Sequence, residues 1–147
     1  MQDYFKNIPE IQFEGENSDN PLAFKFYDEN KTILGKTMKD HFRFATCYWH
    51  TFTWPGLDPF GGQTFERPWM ASGDPIKMAE QKLNCAFDFF TKIKTPFFCF
   101  HDRDIAPEGS NYKETQKNFI HIIDLMERKI EETGMKLLWG TANAFSH

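Results

Sequence analysis

The stretch FFCFHDRD at residues 97–104 decides the fold of this 147-residue chain. Its four apolar residues are typical of a strand buried in a parallel sheet, and the strand ends abruptly at His101. Polar groups that carry chemistry gather at the carboxyl ends of such strands. His101 followed by Asp104 therefore gives a candidate base with a carboxylate partner. The motif alone leaves open an alternative, a capped strand end with solvated acids.

Two other segments have the apolar character of buried strands. Residues 42–52, FRFATCYWHTF, predict the first strand, and residues 135–143, MKLLWGTAN, predict the third. A loop rich in Pro and Gly at residues 53–73 follows the first strand, and loops of this length inside a compact domain are usually functional. A polar loop at residues 102–109 follows the second strand.

Two helices alternate with these strands. Asp74 and Pro75 are typical of a helix start. The residues predicted to line the buried face of this helix are Ile76, Ala79, Leu83, Ala86 and Phe90. A second helix is predicted over residues 110–133, and Gly134 ends it as a left-handed cap. The order β-α-β-α-β predicts three parallel strands with both sheet edges open, so we expect the opening third of a larger barrel.

Charge and composition argue against several classes of partner. The net charge is −4, with Lys and Arg spread among acids, which argues against nucleic acid and anionic membranes. No apolar run approaches the length of a membrane span. Cys47, Cys85 and Cys99 lie in apolar segments without CxxC spacing, which is typical of reduced thiols in a cytoplasmic protein.

Taken in order, these motifs resemble the xylose isomerases. The matching stretches are FA at 44–45, YWHTF at 48–52, DPFG at 58–61, CFHD at 99–102 with Asp104, and LLWGTAN at 137–143. FEG at 13–15 and NPLAF at 20–24 resemble the extended N-terminus of the long, class II type. The match covers nearly all of the chain but only the N-terminal portion of the family's pattern.

The resemblance implies a (β/α)8 TIM barrel that converts D-xylose to D-xylulose by a hydride shift. Residues 1–38 would form an N-terminal extension, and residues 39–147 the first β/α units, with about three strands, of the catalytic barrel. The family uses two divalent metals such as Mg²⁺, whose ligands lie on later strands, so the resemblance assigns no metal ligand to this chain. It also implies a cytoplasmic homo-oligomer, expected to be a tetramer, and we expect the fragment alone to be inactive.

The resemblance further assigns roles to individual residues. His101 would contact the ring oxygen of the cyclic sugar and help to open it, and Asp104 would hold His101 in the right tautomer. The residues that would bind the sugar are Trp49, Phe60, Trp139 and Thr141. Among them, Phe60 would reach into the site of a neighbouring subunit.

Other interpretations stay open at this point. One is another metal-dependent TIM-barrel enzyme, such as a sugar isomerase or epimerase, or an abasic-site endonuclease. The acidic balance argues against DNA, and the aromatic residues Trp49, Phe60 and Trp139 favour a sugar. Another is a non-catalytic fragment that pairs its open sheet edges with a partner. Without the resemblance, Trp49 and Trp139 would be interpreted as plain core aromatics.

Overall fold

Three parallel strands form the sheet on which the other elements pack in this computed structural model, which describes residues 4–57 and 60–143. The strands lie in the order β3 (Ala45–Cys47), β4 (Phe97–His101) and β5 (Lys136–Thr141). The remaining elements are β1 (Thr32–Ile33), β2 (Lys36–Thr37), α1 (Met38–His41), a π-helical turn (Trp49–Thr53), a 3₁₀ turn (Pro68–Met70), α2 (Pro75–Ile93), α3 (Asp102–Ile105) and α4 (Tyr112–Thr133).

The helix α2 begins where its sequence predicts. The Asp74 carboxylate accepts hydrogen bonds from the backbone N–H groups of Ile76 and Lys77, and Pro75 occupies the first turn. The helix ends at Lys94, which adopts a left-handed conformation with φ of 56°. The first predicted helix is therefore confirmed.

Aromatic packing fixes β4 against α2. Phe98 is fully buried, stacks on Phe90 with ring centroids 5.4 Å apart, and meets Phe87 edge-on at 5.3 Å. Because side chains alternate along a strand, Phe98 and Phe100 face the helix while His101 points to the opposite face. This alternation directs the imidazole away from the helical layer.

The second helix and the strand after it follow the prediction in position. Asn111 caps α4, and Gly134 ends it with φ of 71°. The prediction that the third strand is buried is wrong for the described residues, because every residue of β5 is exposed, including Leu138 at 54% and Trp139 at 41%. β5 is an edge strand, and in the described residues neither of its faces is fully covered by another element.

Two other predictions need correction. The first strand covers only Ala45–Cys47, and the chain then winds into the π-helical turn, closed by the bond from Trp54 N–H to the Trp49 carbonyl. Around this turn the rings of Tyr48 and Phe52 lie 5.4 Å apart in the core, whereas residues four apart in a strand are separated by about 13 Å. The polar loop predicted at residues 102–109 begins instead with the short helix α3.

The segment before the sheet packs along the C-terminal end of α2. The backbone N–H of Ile11 donates to the Lys92 carbonyl, and the Lys94 ammonium faces the carboxylates of Glu10 and Glu29. A β-bridge joins Phe13 and Phe24.

The α/β class is confirmed, with parallel strands joined through helices. Three strands make an open sheet, so the described residues alone form no barrel. Across residues 4–57 and 60–143, none of the helices has the length and apolar character needed to cross a membrane.

Replacing Asp74 by Ala is expected to loosen the first turn of α2 in the intact protein. Loss of an N-cap costs about 1 kcal/mol, which corresponds to roughly fivefold faster amide exchange at residues 76–78. Hydrogen exchange followed by mass spectrometry measures this. Asp74→Ser is the matched control, because a hydroxyl caps as well. Equal exchange in the two variants would show that the cap contributes nothing.

Candidate functional site

The centre of the candidate site is the pair His101 and Asp104, three residues apart at the end of β4. The imidazole Nδ1 of His101 lies 3.0 Å from Asp104 Oδ2, and the backbone N–H of His101 donates to the same oxygen at 2.8 Å. Through the backbone bond, Asp104 in the first turn of α3 satisfies the N–H of the residue that caps this helix, and α3 starts directly after the strand. Strand end, helix start and candidate base are thus built by one local interaction.

This geometry fixes the tautomer of the ring when Asp104 is ionised. A carboxylate can only accept hydrogen bonds, so Nδ1 of His101 carries the hydrogen and Nε2 is left as an acceptor. Asp104 is 1% exposed, whereas the side chain of His101 is 30% exposed. The pair therefore joins a buried anion to an imidazole that solvent or a ligand can reach.

The strand β5 supplies the next part of the site. The indole of Trp139 meets the His101 ring edge-on, with centroids 5.3 Å apart, and Thr141 lies opposite His101 in the strand register. Asp102 ties the strand ends together, because its Oδ1 accepts the N–H of Asn143 at 2.8 Å. Four predicted residues, His101, Asp104, Trp139 and Thr141, are thus brought together.

The other two predicted residues are placed differently. Trp49 follows β3 at the same carboxyl edge of the sheet, 36% exposed, and its ring neighbours are His50 and Trp54. Phe60 is 99% exposed on the loop beyond. Residues 58 and 59, the first two of the predicted DPFG turn, lie outside the described residues.

The structure adds a residue that the sequence reasoning missed. Lys82 is 8% exposed, and its Nζ donates to Thr53 Oγ1 at 3.3 Å. Thr53 Oγ1 in turn donates to the backbone carbonyl of Asp104 at 3.2 Å. Burial lowers the pKa of Lys82 to about 8, while the Asp104 carboxylate acts in the opposite direction. The available signal was a lysine on the helix face that also carries Ala79 and Leu83.

Two further groups bear on the chemistry. Arg103 lies between the two acids in sequence, but its guanidinium pairs with Glu108 Oε1 at 2.6 Å. Within residues 4–57 and 60–143, no group of three or more His, Cys, Asp or Glu side chains could hold a metal ion. This arrangement can transfer protons at Nε2 of His101, next to the indole of Trp139.

Comparison with known proteins gives consistent relatives. No family model matches the chain. Curated proteins named xylose isomerase are similar along its length: one from Photobacterium profundum is 58% identical over 147 residues, covering 100% of this chain and 34% of the relative. One from Paraburkholderia phytofirmans is 58% identical over 144 residues, covering 98% and 33%, and one from Pseudoalteromonas atlantica is 54% identical, covering 100% and 34%. The chain thus spans about a third of the length of the curated relatives that it matches.

Replacing Asp104 by Asn is expected to change the tautomer of His101 in the intact protein. An amide can donate as well as accept, so it no longer requires the hydrogen on Nδ1. Two-bond proton–nitrogen NMR correlations of labelled histidine should show Nδ1–H in the wild type and a gain of Nε2–H in the variant. Arg103→Gln is the control and should leave the tautomer unchanged. A wild-type ring with its hydrogen on Nε2 would contradict the assignment.

Proposed function

We propose that this chain, a homologue of the xylose isomerases along its whole length, is part of an enzyme that interconverts D-xylose and D-xylulose. The observation that carries the proposal is the His101–Asp104 pair at the carboxyl edge of a parallel sheet, with Trp139 against the imidazole. The resemblance stated from the motifs assigns ring opening to such a pair. The direct test is formation of xylulose from xylose by the intact protein with Mg²⁺ added. Formation of an epimer of xylose instead would favour a sugar epimerase.

His101 has the properties that ring opening needs. Opening a cyclic aldose moves a proton from the anomeric hydroxyl to the ring oxygen. Nε2 of a neutral imidazole can accept the first proton and deliver one to the ring oxygen, and this suits a group whose ordinary pKa is about 6.5. The buried carboxylate of Asp104 stabilises the imidazolium that exists between the two transfers. Asp104 acts through His101 and does not itself need to touch the sugar.

The aromatic residues would supply apolar walls. A hydride shift between neighbouring carbons requires a site that excludes water, because water would exchange protons with the intermediate or stabilise unwanted charge. Trp139 lies against His101, and Trp49 follows β3 at the same edge. Indole faces also pack well on the C–H surfaces of sugars. In this proposal both indoles flank the sugar, and Thr141 lines the pocket beside them.

The remaining parts of the proposal rest on the resemblance. It includes a (β/α)8 barrel to which residues 39–147 contribute the first units, with residues 1–38 as an extension. It also includes a cytoplasmic tetramer; the three free thiols Cys47, Cys85 and Cys99 suit a reducing compartment. The family's divalent metals find no candidate cluster among the described residues, so we assign no ligand and derive no step through a metal.

His101→Asn in the intact protein is expected to lower turnover of cyclic xylose by about 10²–10⁴-fold, the usual contribution of general acid–base catalysis. A three-carbon aldose can close neither a furanose nor a pyranose ring and reaches the site open, so the loss on that substrate should be much smaller. His121→Asn is the control, since His121 pairs with Glu80 at the surface. Equal losses on cyclic and open substrates would rule out ring opening as the role of His101.

Phe60 is expected to act on a neighbouring subunit. Phe60→Ser subunits mixed with His101→Asn subunits should regain activity, because some sites then combine an intact His101 with a neighbour's Phe60. Activity of the mixed oligomer, against each variant alone, measures this. Leu57→Ser in place of Phe60→Ser is the control, since Leu57 is an exposed apolar residue of the same loop. If mixing restores nothing, Phe60 serves its own subunit.

A further inference from the structure

A buried lysine, Lys82, is connected to the His101–Asp104 pair through Thr53. Lys82 projects from the middle of α2, a helix that otherwise buries apolar residues on this face, and is only 8% exposed. Its ammonium lies 6.0 Å from the centre of the Tyr48 ring and donates to Thr53 Oγ1. Lysine is rarely buried unless it has a partner. The hydrogen-bond partner here is Thr53, and the Asp104 carboxylate favours the charged form of the ammonium by raising the pKa of Lys82.

Thr53 makes the connection specific. Its hydroxyl accepts from Lys82 and donates to the backbone carbonyl of Asp104, so a single side chain joins α2 to α3. Thr53 is the last residue of the π-helical turn, and the turn therefore places this hydroxyl between the two helices. The chain of contacts runs from Lys82 through Thr53 to Asp104 and on to His101.

The charges indicate what the cation contributes beyond the two hydrogen bonds to Asp104 Oδ2. An ionised carboxylate that is 1% exposed requires a compensating positive charge or strong hydrogen bonds. Without Lys82, the nearest group that could take up a positive charge would be His101 itself, protonated at both nitrogens. A doubly protonated ring has no acceptor at Nε2, and the base would be lost.

We propose that Lys82 is a positioning residue for ring opening: its ammonium, held by Thr53, compensates Asp104 so that His101 stays neutral and Nε2 stays an acceptor. This inference rests on the proposed function for its catalytic meaning. The effect on the protonation of His101 is independent of that function.

The other charged or titratable groups around Lys82 and the pair do not replace it. They are Tyr48 and Arg67 from the segments packed on α2, Cys85 on α2 itself, Cys99 on β4, and Asp102 and Arg103 on α3. Burial raises the pKa of Cys99 to about 11, so its thiol is neutral at physiological pH. Burial raises the pKa of Tyr48 well above its ordinary value and that of Cys85 to about 12, so both are neutral at physiological pH. Arg67 acts on Cys85, and Arg103 pairs with Glu108. Asp102 adds a further negative charge beside the pair.

The sign of the pH dependence follows from this arrangement. Removing a cation near the pair favours protonation of His101, so its titration midpoint rises and the acidic limb of kcat/KM moves to higher pH. Because the pKa of Lys82 is about 8, its charge is present below that pH and lost above it. A variant without this charge is therefore expected to have a lower kcat/KM than the wild type below pH 8, and the difference should shrink above pH 8.

The experiment uses Lys82→Met, which keeps most of the length of the side chain without its charge, with Lys82→Arg as the matched control that keeps the charge. In the intact protein, NMR titration of labelled His101 should show a midpoint about one pH unit higher for Lys82→Met, a roughly tenfold change in the protonation equilibrium. Lys82→Arg should stay closer to the wild type. The acidic limb of kcat/KM for xylose should move by the same amount.

The outcomes separate the two proposals. An unchanged midpoint in Lys82→Met, or a uniform loss of activity at every pH, would overturn the role of Lys82. Absence of xylulose formation by the wild type would overturn the proposed function, while the midpoint would still report on Lys82. If Lys82→Met fails to fold, Thr53→Val decides, because it removes the hydroxyl that holds the ammonium. Its midpoint should rise in the same direction, and an unchanged value would overturn the proposal.

Discussion

The acceptance of two hydrogen bonds by Asp104 Oδ2, from the backbone and from the ring of His101, is the interaction on which the site depends. It ends β4, starts α3 and orients the imidazole in a single local step. Because the carboxylate is buried, these bonds cannot be exchanged for bonds to water without a large cost. The same bonds leave Nε2 as the acceptor of the ring. The local fold at the end of β4 and the proposed chemistry of His101 therefore depend on the same two hydrogen bonds.

The aromatic layer between sheet and helix makes this constraint possible. Phe98 packs against Phe87 and Phe90, which sets the distance of α2 from β4. At that distance, Nζ of Lys82 donates to Thr53 Oγ1, which in turn donates to the backbone carbonyl of Asp104. The helix-facing residues of β4 thus fix the scaffold, while the alternate residue His101 is available for chemistry. A strand of five residues serves both purposes because its side chains point in two directions.

Local signals in the sequence predicted those parts of the fold that depend on local interactions. The start and apolar face of α2, the Gly134 cap of α4, and the spacing of His101 and Asp104 are all short-range features, and the structure contains each of them. The turn at Trp49–Thr53 was missed because its aromatic and β-branched residues suit a strand equally well. Burial of Tyr48 and Phe52 against distant parts of the chain decides its conformation. Lys82 was missed for the same reason, since its partners, Thr53 and Asp104, are distant in sequence.

The position of the Trp139 indole beside His101 depends on how closely β5 approaches β4. A Cβ at Gly140 would lie 2.9 Å from Cζ of Phe100, closer than side-chain carbons are found, so a larger residue requires the buried Phe100 ring or the strand β5 to shift. Gly140 directly follows Trp139, whose indole meets the imidazole. If β5 shifts, the indole moves away from His101; if the Phe100 ring shifts, the packing between β4 and α2 changes instead. Gly140, which has no side chain of its own, therefore lets the Phe100 ring lie close to β5 while Trp139 packs on His101.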